Sequence, residues 1–205
     1  MTKFNDEYYI ASPCNNDEDQ SFISVHKRSE HLRFNRTRLI SGAPFFVEKA
    51  FQERDKRLNI NCVNTDIMFG CGTLIMNDIV KSKISQFEIS GTQLYPSILI
   101  DSDNRWHENY WYLNIWERLD CWSRNMSVYE PAEDGDENGA IVDRYHLDSA
   151  VLNDIPEPNR LIFRMGGESF AHTFFHKKIV DIFEENNFTG IRFFKVSEYE
   201  SGDEF

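Results

Sequence analysis

The chain has 205 residues, 40% of them hydrophobic and 27% charged, a length that suits one domain or two small lobes sharing an interface. Its 34 acidic side chains outnumber 22 basic ones, giving −12 at pH 7. That balance argues against direct binding to nucleic acid or to an anionic membrane, because phosphate groups repel an acidic surface.

Taken in order, Tyr8-Tyr9-Ile10-Ala11 reads as a short opening strand closed by Ser12-Pro13, and Phe22-Ile23-Ser24-Val25 as a second, with a polar loop at 15–20 between them. Residues 26–38 are locally basic: Lys27, Arg28, Arg33, Arg36 and Arg38 stand against Glu30 alone. Such a run is either a solvated face or a docking site for an acidic surface, of this protein or of a partner. From Pro44, the spacing of Phe46, Ala50 and Phe51 predicts a helix. Gly70 and Gly72 mark a turn, and Leu74, Ile75, Ile79 and Ile84 predict a buried helix after it.

Phe87 to Ser90 alternates like the start of a strand, and Gln93–Ile100 continues extended around Pro96, which places that stretch at an edge or a bulge. Residues 110–116, Tyr-Trp-Tyr-Leu-Asn-Ile-Trp, are apolar on both alternating faces and predict a central strand covered on two sides. Within it, Trp111, Leu113 and Ile115 face one way and Tyr112 and Trp116 the other, so core packing accounts for them better than a sugar-stacking cleft does. Trp106 and Trp122 flank that strand and are the expected exposed pair, a residue type enriched at binding hot spots.

The loop 130–138 holds five acids, Glu130, Glu133, Asp134, Asp136 and Glu137, without the ligand spacing of a calcium loop. Arg160–Met165 predicts a strand ended by Gly166-Gly167. A helix with Thr173 as N-cap follows, running through Phe175, Ile179, Ile182 and Phe183 to a stop at Asn186-Asn187. Ile191–Val196 predicts a closing strand, and 197–205 an acidic, frayed tail. Charge is uneven along the chain: residues 1–105 are net −1 and residues 106–205 net −11.

Nucleotide-binding glycine motifs, a serine elbow and a zinc-protease motif are absent from the sequence. His172 and His176 are four apart, as a metal pair on a helix would be, but nothing nominates a third ligand, so no metal and no cofactor is expected. The four cysteines (Cys14, Cys62, Cys71, Cys121) are scattered, without C-x-x-C, and read as reduced thiols of a cytoplasmic protein; a Cys62–Cys71 disulfide is the pairing that spacing leaves open. No run of about eighteen apolar residues could span a membrane, and Met1–Glu7 lacks the apolar core of a secretory signal.

The order Leu161-Ile162-Phe163-Arg164-Met165-Gly166, then Phe174-Phe175-His176, then Glu185-Asn186-Asn187-Phe188-Thr189-Gly190-Ile191-Arg192-Phe193 resembles a bacterial immunity-protein family. This is the eleventh immunity family of polymorphic toxin systems, formerly a domain of unknown function. Tyr110–Ile115, with Asp120 and Ser123, is similar to the family's aromatic strand. The resemblance covers about residues 84–196, with Tyr8-Tyr9-Ile10 and the Ile75–Ile84 segment fitting loosely. It implies a non-catalytic antidote that binds a cognate toxin and blocks it. These motifs specify turns and strands, so no catalytic residue is transferred.

The expectation is therefore an α+β fold with a mixed, mainly antiparallel sheet and packed helices, in an N-terminal lobe (1–85) and a C-terminal lobe (86–205). Its expected function, from the resemblance and the acidic charge, is that of a cytoplasmic immunity protein occluding the active site of a basic toxin such as a nuclease, with Glu130, Glu133, Asp134, Asp136, Glu137, Trp106 and Trp122 as candidate toxin-binding residues. The alternatives are a small hydrolase using His172 or His176 with a carboxylate, and a non-catalytic scaffold.

Overall fold

The computed structural model describes residues 3–14, 22–40, 42–60, 63–70, 72–133, 136 and 138–204. Cys62, Cys71, the 15–20 loop, Asp134 and Glu137 lie outside the described residues. In chain order the elements are α1 (Lys3–Glu7), β1 (Tyr8–Pro13), β2 (Ile23–Val25), β3 (Phe45–Lys49), α2 (Gln52–Leu58), β4 (Ile67–Gly70), β5 (Thr73–Asn77), α3 (Asp78–Ile84), β6 (Thr92–Ile100) and β7 (Trp106–Ile115). Then follow β8 (Arg118–Leu119), β9 (Val128–Glu130), β10 (Ile141–Arg144), α4 (Ser149–Asp154), a 3₁₀ turn at Glu157–Asn159, β11 (Ile162–Met165), β12 (Thr173–His176), α5 (Lys177–Glu185) and β13 (Ile191–Lys195). The fold is α+β, with mixed and largely antiparallel sheets, as the sequence predicts.

Six strands in the order β2-β3-β6-β7-β5-β4 curl into a nearly closed barrel, because a bridge between Phe22 and Phe69 brings the two outer strands together. Period-two alternation sorts the side chains. Ile23, Phe45, Val47, Met68, Ile75, Leu99, Tyr110 and Tyr112 fill the barrel, where Phe45 stacks on Tyr112 at 4.3 Å between ring centres. Closure leaves no room at Gly70: a Cβ there would lie 1.6 Å from the Ile23 carbonyl oxygen.

On the outer face of the barrel, Leu74, Met76, Leu113 and Ile115 pack with α3 and α5 against a second sheet of order β13-β1-β12-β11-β8. That sheet is buried on both sides. Ile162 and Phe175 face the barrel and helices. Tyr8, Ile10, Phe163 and Phe174 face a further core with Trp122, Val142, Tyr145 and Leu152, under the β9–β10 ribbon and α4. The sheets do not divide the chain at residue 85: β1 lies between β13 and β12, and the barrel is completed by β6 and β7.

Several local expectations change. Phe45–Lys49 is a strand, its odd positions inside the barrel, so the helix predicted from Pro44 is confined to Gln52–Leu58. Leu74 and Ile75 belong to the second arm of a hairpin, and the helix begins only at Asp78, capped by the Asn77 side chain; Ile79 is exposed while Val80 and Ile84 are buried. Phe87–Ser90 is irregular rather than a strand. Pro96 sits in an internal strand opposite Trp111, one residue before the β3 register opens at Ser97, and the register slips between Ser97 and Leu99. The bulge reading holds there and the edge reading does not. Thr173–His176 is a strand, so the α5 cap is His176, whose Nδ1 accepts from the Lys178 amide at 3.1 Å. Asn187 adopts the left-handed conformation expected of the helix stop. The tail through Glu204 is folded back, with Val196 and Tyr199 buried and Tyr199 donating to Glu204 at 3.0 Å.

Candidate functional site

The β9–β10 ribbon carries the acidic loop. Tyr129 points inward, edge-on to Trp122 at 4.9 Å, which leaves Val128 and Glu130 on the outer face. Trp122 is therefore core: it is 2% exposed, and its Nε1 donates to the Gly166 carbonyl at 3.0 Å. The Arg124 guanidinium covers its ring at 3.8 Å and is held in turn by the Asp120 carboxylate. Its expected exposure is overturned because a chain turn after β8 carries the indole under the ribbon, where its N–H finds a buried acceptor.

Between the ribbon strands, Asp136 accepts from the Asn138 amide at 3.0 Å, and the Asn138 side chain accepts from the Gly167 amide at 3.3 Å. The Ser169 amide donates to Ala140 at 2.8 Å. Asn138 and Ala140, at the β10 end of the loop, are thus tied to the 166–172 segment. That segment turns around Glu168, which is fully buried and accepts from the Phe170 and His172 amides at 2.6 and 2.9 Å. Ala171 is left-handed, with φ at 50°, a conformation an alanine adopts only when its surroundings impose it. The outcome is a fixed loop that holds Phe170 out into solvent, 59% exposed.

The tail adds to the same side. The Ser201 amide donates to Asp143 on β10, and Arg144 pairs with Glu200 at 2.6 Å. Glu130, Glu133, Asp136, Glu198, Glu200 and Asp203 are all exposed, as are the apolar Met126 and Val128 at the start of the ribbon and Phe170 on its adjoining loop. Exposed aromatic and apolar side chains beside charged ones are the materials of a protein–protein contact surface. Phe170 and the tail acids escape a sequence reading, since only the packing of 166–172 and 197–204 onto the ribbon brings them there.

Trp106 belongs elsewhere. It is 50% exposed at the start of β7, edge-on to Phe46 at 5.6 Å, with the Arg28 guanidinium over both rings at 5.0 and 5.2 Å. A cavity of about 580 Å³ opens between α2 and the β6–β7 turn; Lys49, Lys56, Asp55, Asp101 and Asp103 line it, and none of the candidate residues does.

His172 and His176 do not form a pair. On an extended strand, four residues span about 13 Å. Neither ring is exposed. His172 meets the Tyr145 hydroxyl at 2.9 Å, and His176 caps α5 and stands edge-on to Tyr8 at 5.1 Å. Burial holds the His176 pKa below the usual histidine value and pushes that of the Cys121 thiol up. Among the described residues no group of three or more His, Cys, Asp and Glu could hold a metal ion, and no helix is long and apolar enough to cross a membrane.

Compared with family models, residues 7–198 match Imm11, the immunity protein family. The chain belongs to Imm11. The match reaches well beyond residues 84–196 and takes in both the barrel and the five-stranded sheet of the Imm11 chain. No curated protein matches this Imm11 chain. Membership supports a toxin-neutralising role.

Proposed function

We propose that this Imm11 protein works in the cytoplasm, docking its acidic ribbon side onto a basic toxin, such as a nuclease, and occluding that toxin's active site. What supports the reading is an exposed Phe170 on a fixed loop tied to the β9–β10 ribbon, with exposed carboxylates on that ribbon and its loop, in a chain of an immunity family. Carboxylates of Glu130, Glu133 and Asp136 stand in this account where substrate phosphates would go, and Phe170 supplies the apolar anchor. An interface of standard size buries about 1,600 Å² in total, and a complementary field raises the association rate more than it adds affinity. Nucleic acid itself is not a partner in this reading.

Co-expression with the cognate toxin tests it. Cells carrying the wild-type chain survive, whereas a chain with Glu130→Lys, Glu133→Lys and Asp136→Lys fails to protect while accumulating to the same level. Equal protection by the triple variant removes the acidic side from the account.

A further inference from the structure

The segment 26–38 carries five cations against one acid, in a chain that is net −12. Lys27, Arg28, Arg33, Arg36 and Arg38 are all exposed, and none of them enters an ion pair among the described residues. Among the described residues, no carboxylate of the acidic C-terminal half pairs with them in the same molecule. The segment is nonetheless fixed on the barrel. The buried Ser29 hydroxyl accepts from the Phe46 amide at 2.8 Å, and the Asn35 amide donates to Asn114 at 2.7 Å. Gln93 clamps the backbone of Leu39 from both sides, at 2.9 and 3.0 Å.

A second observation is independent of charge. Arg28 is laid over Phe46 and Trp106, and half of Trp106 faces solvent. Arginine and tryptophan are the side chains most enriched at interface hot spots, and here they are already in place before any partner arrives. Holding them on the barrel lowers the ordering cost of association.

We infer that this basic, aromatic face of the barrel docks the acidic C-terminal side of a second copy of the same chain. Charge complementarity selects that occupant. Residues 106–205 are net −11 and residues 26–38 net +4, and a contact not made within one molecule is open between two. The two copies use different surfaces, so the contact is heterologous. It also covers the ribbon side, which makes a second copy and a basic toxin competitors for the same carboxylates. The inference stands apart from the toxin reading, because self-association is measured with no toxin present.

Sedimentation velocity of the purified full chain over a concentration series, at low and high salt, tests it. A concentration-dependent larger species is expected, weakening at least about tenfold in dissociation constant as salt rises and the screening length falls from about 10 Å to 3 Å. The pair Arg28→Glu and Arg33→Glu, all-surface changes, abolishes association, as does Glu130→Lys with Glu133→Lys and Asp136→Lys. Mixing those two variants restores a one-to-one species, since each supplies the surface the other lacks. A wild-type chain that stays monomeric at low salt overturns the inference, and so does a basic-face variant that associates like wild type. A monomer that binds a labelled oligonucleotide through Arg28 and Arg33 overturns it too, assigning the face to nucleic acid.

Discussion

Gly70 and Phe170 show how single residues serve the fold and the surface differently. At Gly70 the barrel closes against the Ile23 carbonyl, and a methyl group there would sit 1.6 Å from that oxygen. Gly70→Ala is expected to cost about 3 kcal/mol, the upper range for overpacking. Gly42→Ala, with nothing within 4 Å of the added carbon, stays within about 0.5 kcal/mol of wild type. Denaturant unfolding of the two variants checks the contrast. Phe170 is proposed to contribute to binding instead: Phe170→Ala should leave the unfolding midpoint unchanged and weaken toxin binding by about 10- to 100-fold, the cost of a hot-spot truncation. Titration calorimetry against the toxin reads it. At this scale the sequence exposed the alternation of Tyr110 to Ile115 well, because each side chain there is large and apolar and its face follows from parity alone. Trp122 was illegible: its burial depends on a ribbon that covers it from elsewhere in the chain.

Among the elements, α5 rests on an unusual cap. His176 closes the end of β12 and opens the helix, accepting from the Lys178 amide with an unprotonated nitrogen. Burial favours that neutral form, which lowers the folded-state pKa below the ordinary value of about 6.5. The unfolded chain then binds the proton more readily. The cap's contribution is whole above the ordinary histidine pKa and is lost as pH falls through the lowered, folded value. His176→Ala should cost about 1 kcal/mol near neutrality, while His176→Asn keeps an acceptor and flattens the stability loss between pH 7 and pH 5; a wild-type slope in the Asn variant contradicts the assignment. The helix itself was legible from Ile179 through Asn187, since the apolar spacing and the left-handed stop are local. Its start was not, because Phe174 and Phe175 form a strand only by pairing with β1 and β11. The same cause turned Phe45–Lys49 and Leu74–Ile75 from helix into strand: barrel partners decided what short apolar spacing could not.

The molecule carries its charge asymmetrically, with a cationic aromatic face on the barrel and an acidic ribbon side with Glu130, Glu133 and Asp136 and the acids of the folded-back tail. Fold class was legible from element order and strand patterning, and family membership from the turn and strand motifs around Gly166 and Thr189. The interleaving of the N-terminal strand β1 with β11 to β13 was not, because no local signal in Tyr8–Pro13 says which distant strands it will join. A site made of exposed carboxylates was half legible: Glu130, Glu133 and Asp136 stand out as a run, whereas Phe170 and Glu200 reach the same side only through tertiary packing. Through that side, in the proposed function, this Imm11 chain neutralises its toxin. Association kinetics with the purified cognate toxin, over a range of salt concentrations, test it most directly. The expected rate falls steeply with salt, and the Glu130, Glu133 and Asp136 charge reversal associates at least about tenfold more slowly. A rate indifferent to salt, with the reversed chain inhibiting as well as wild type, would contradict it.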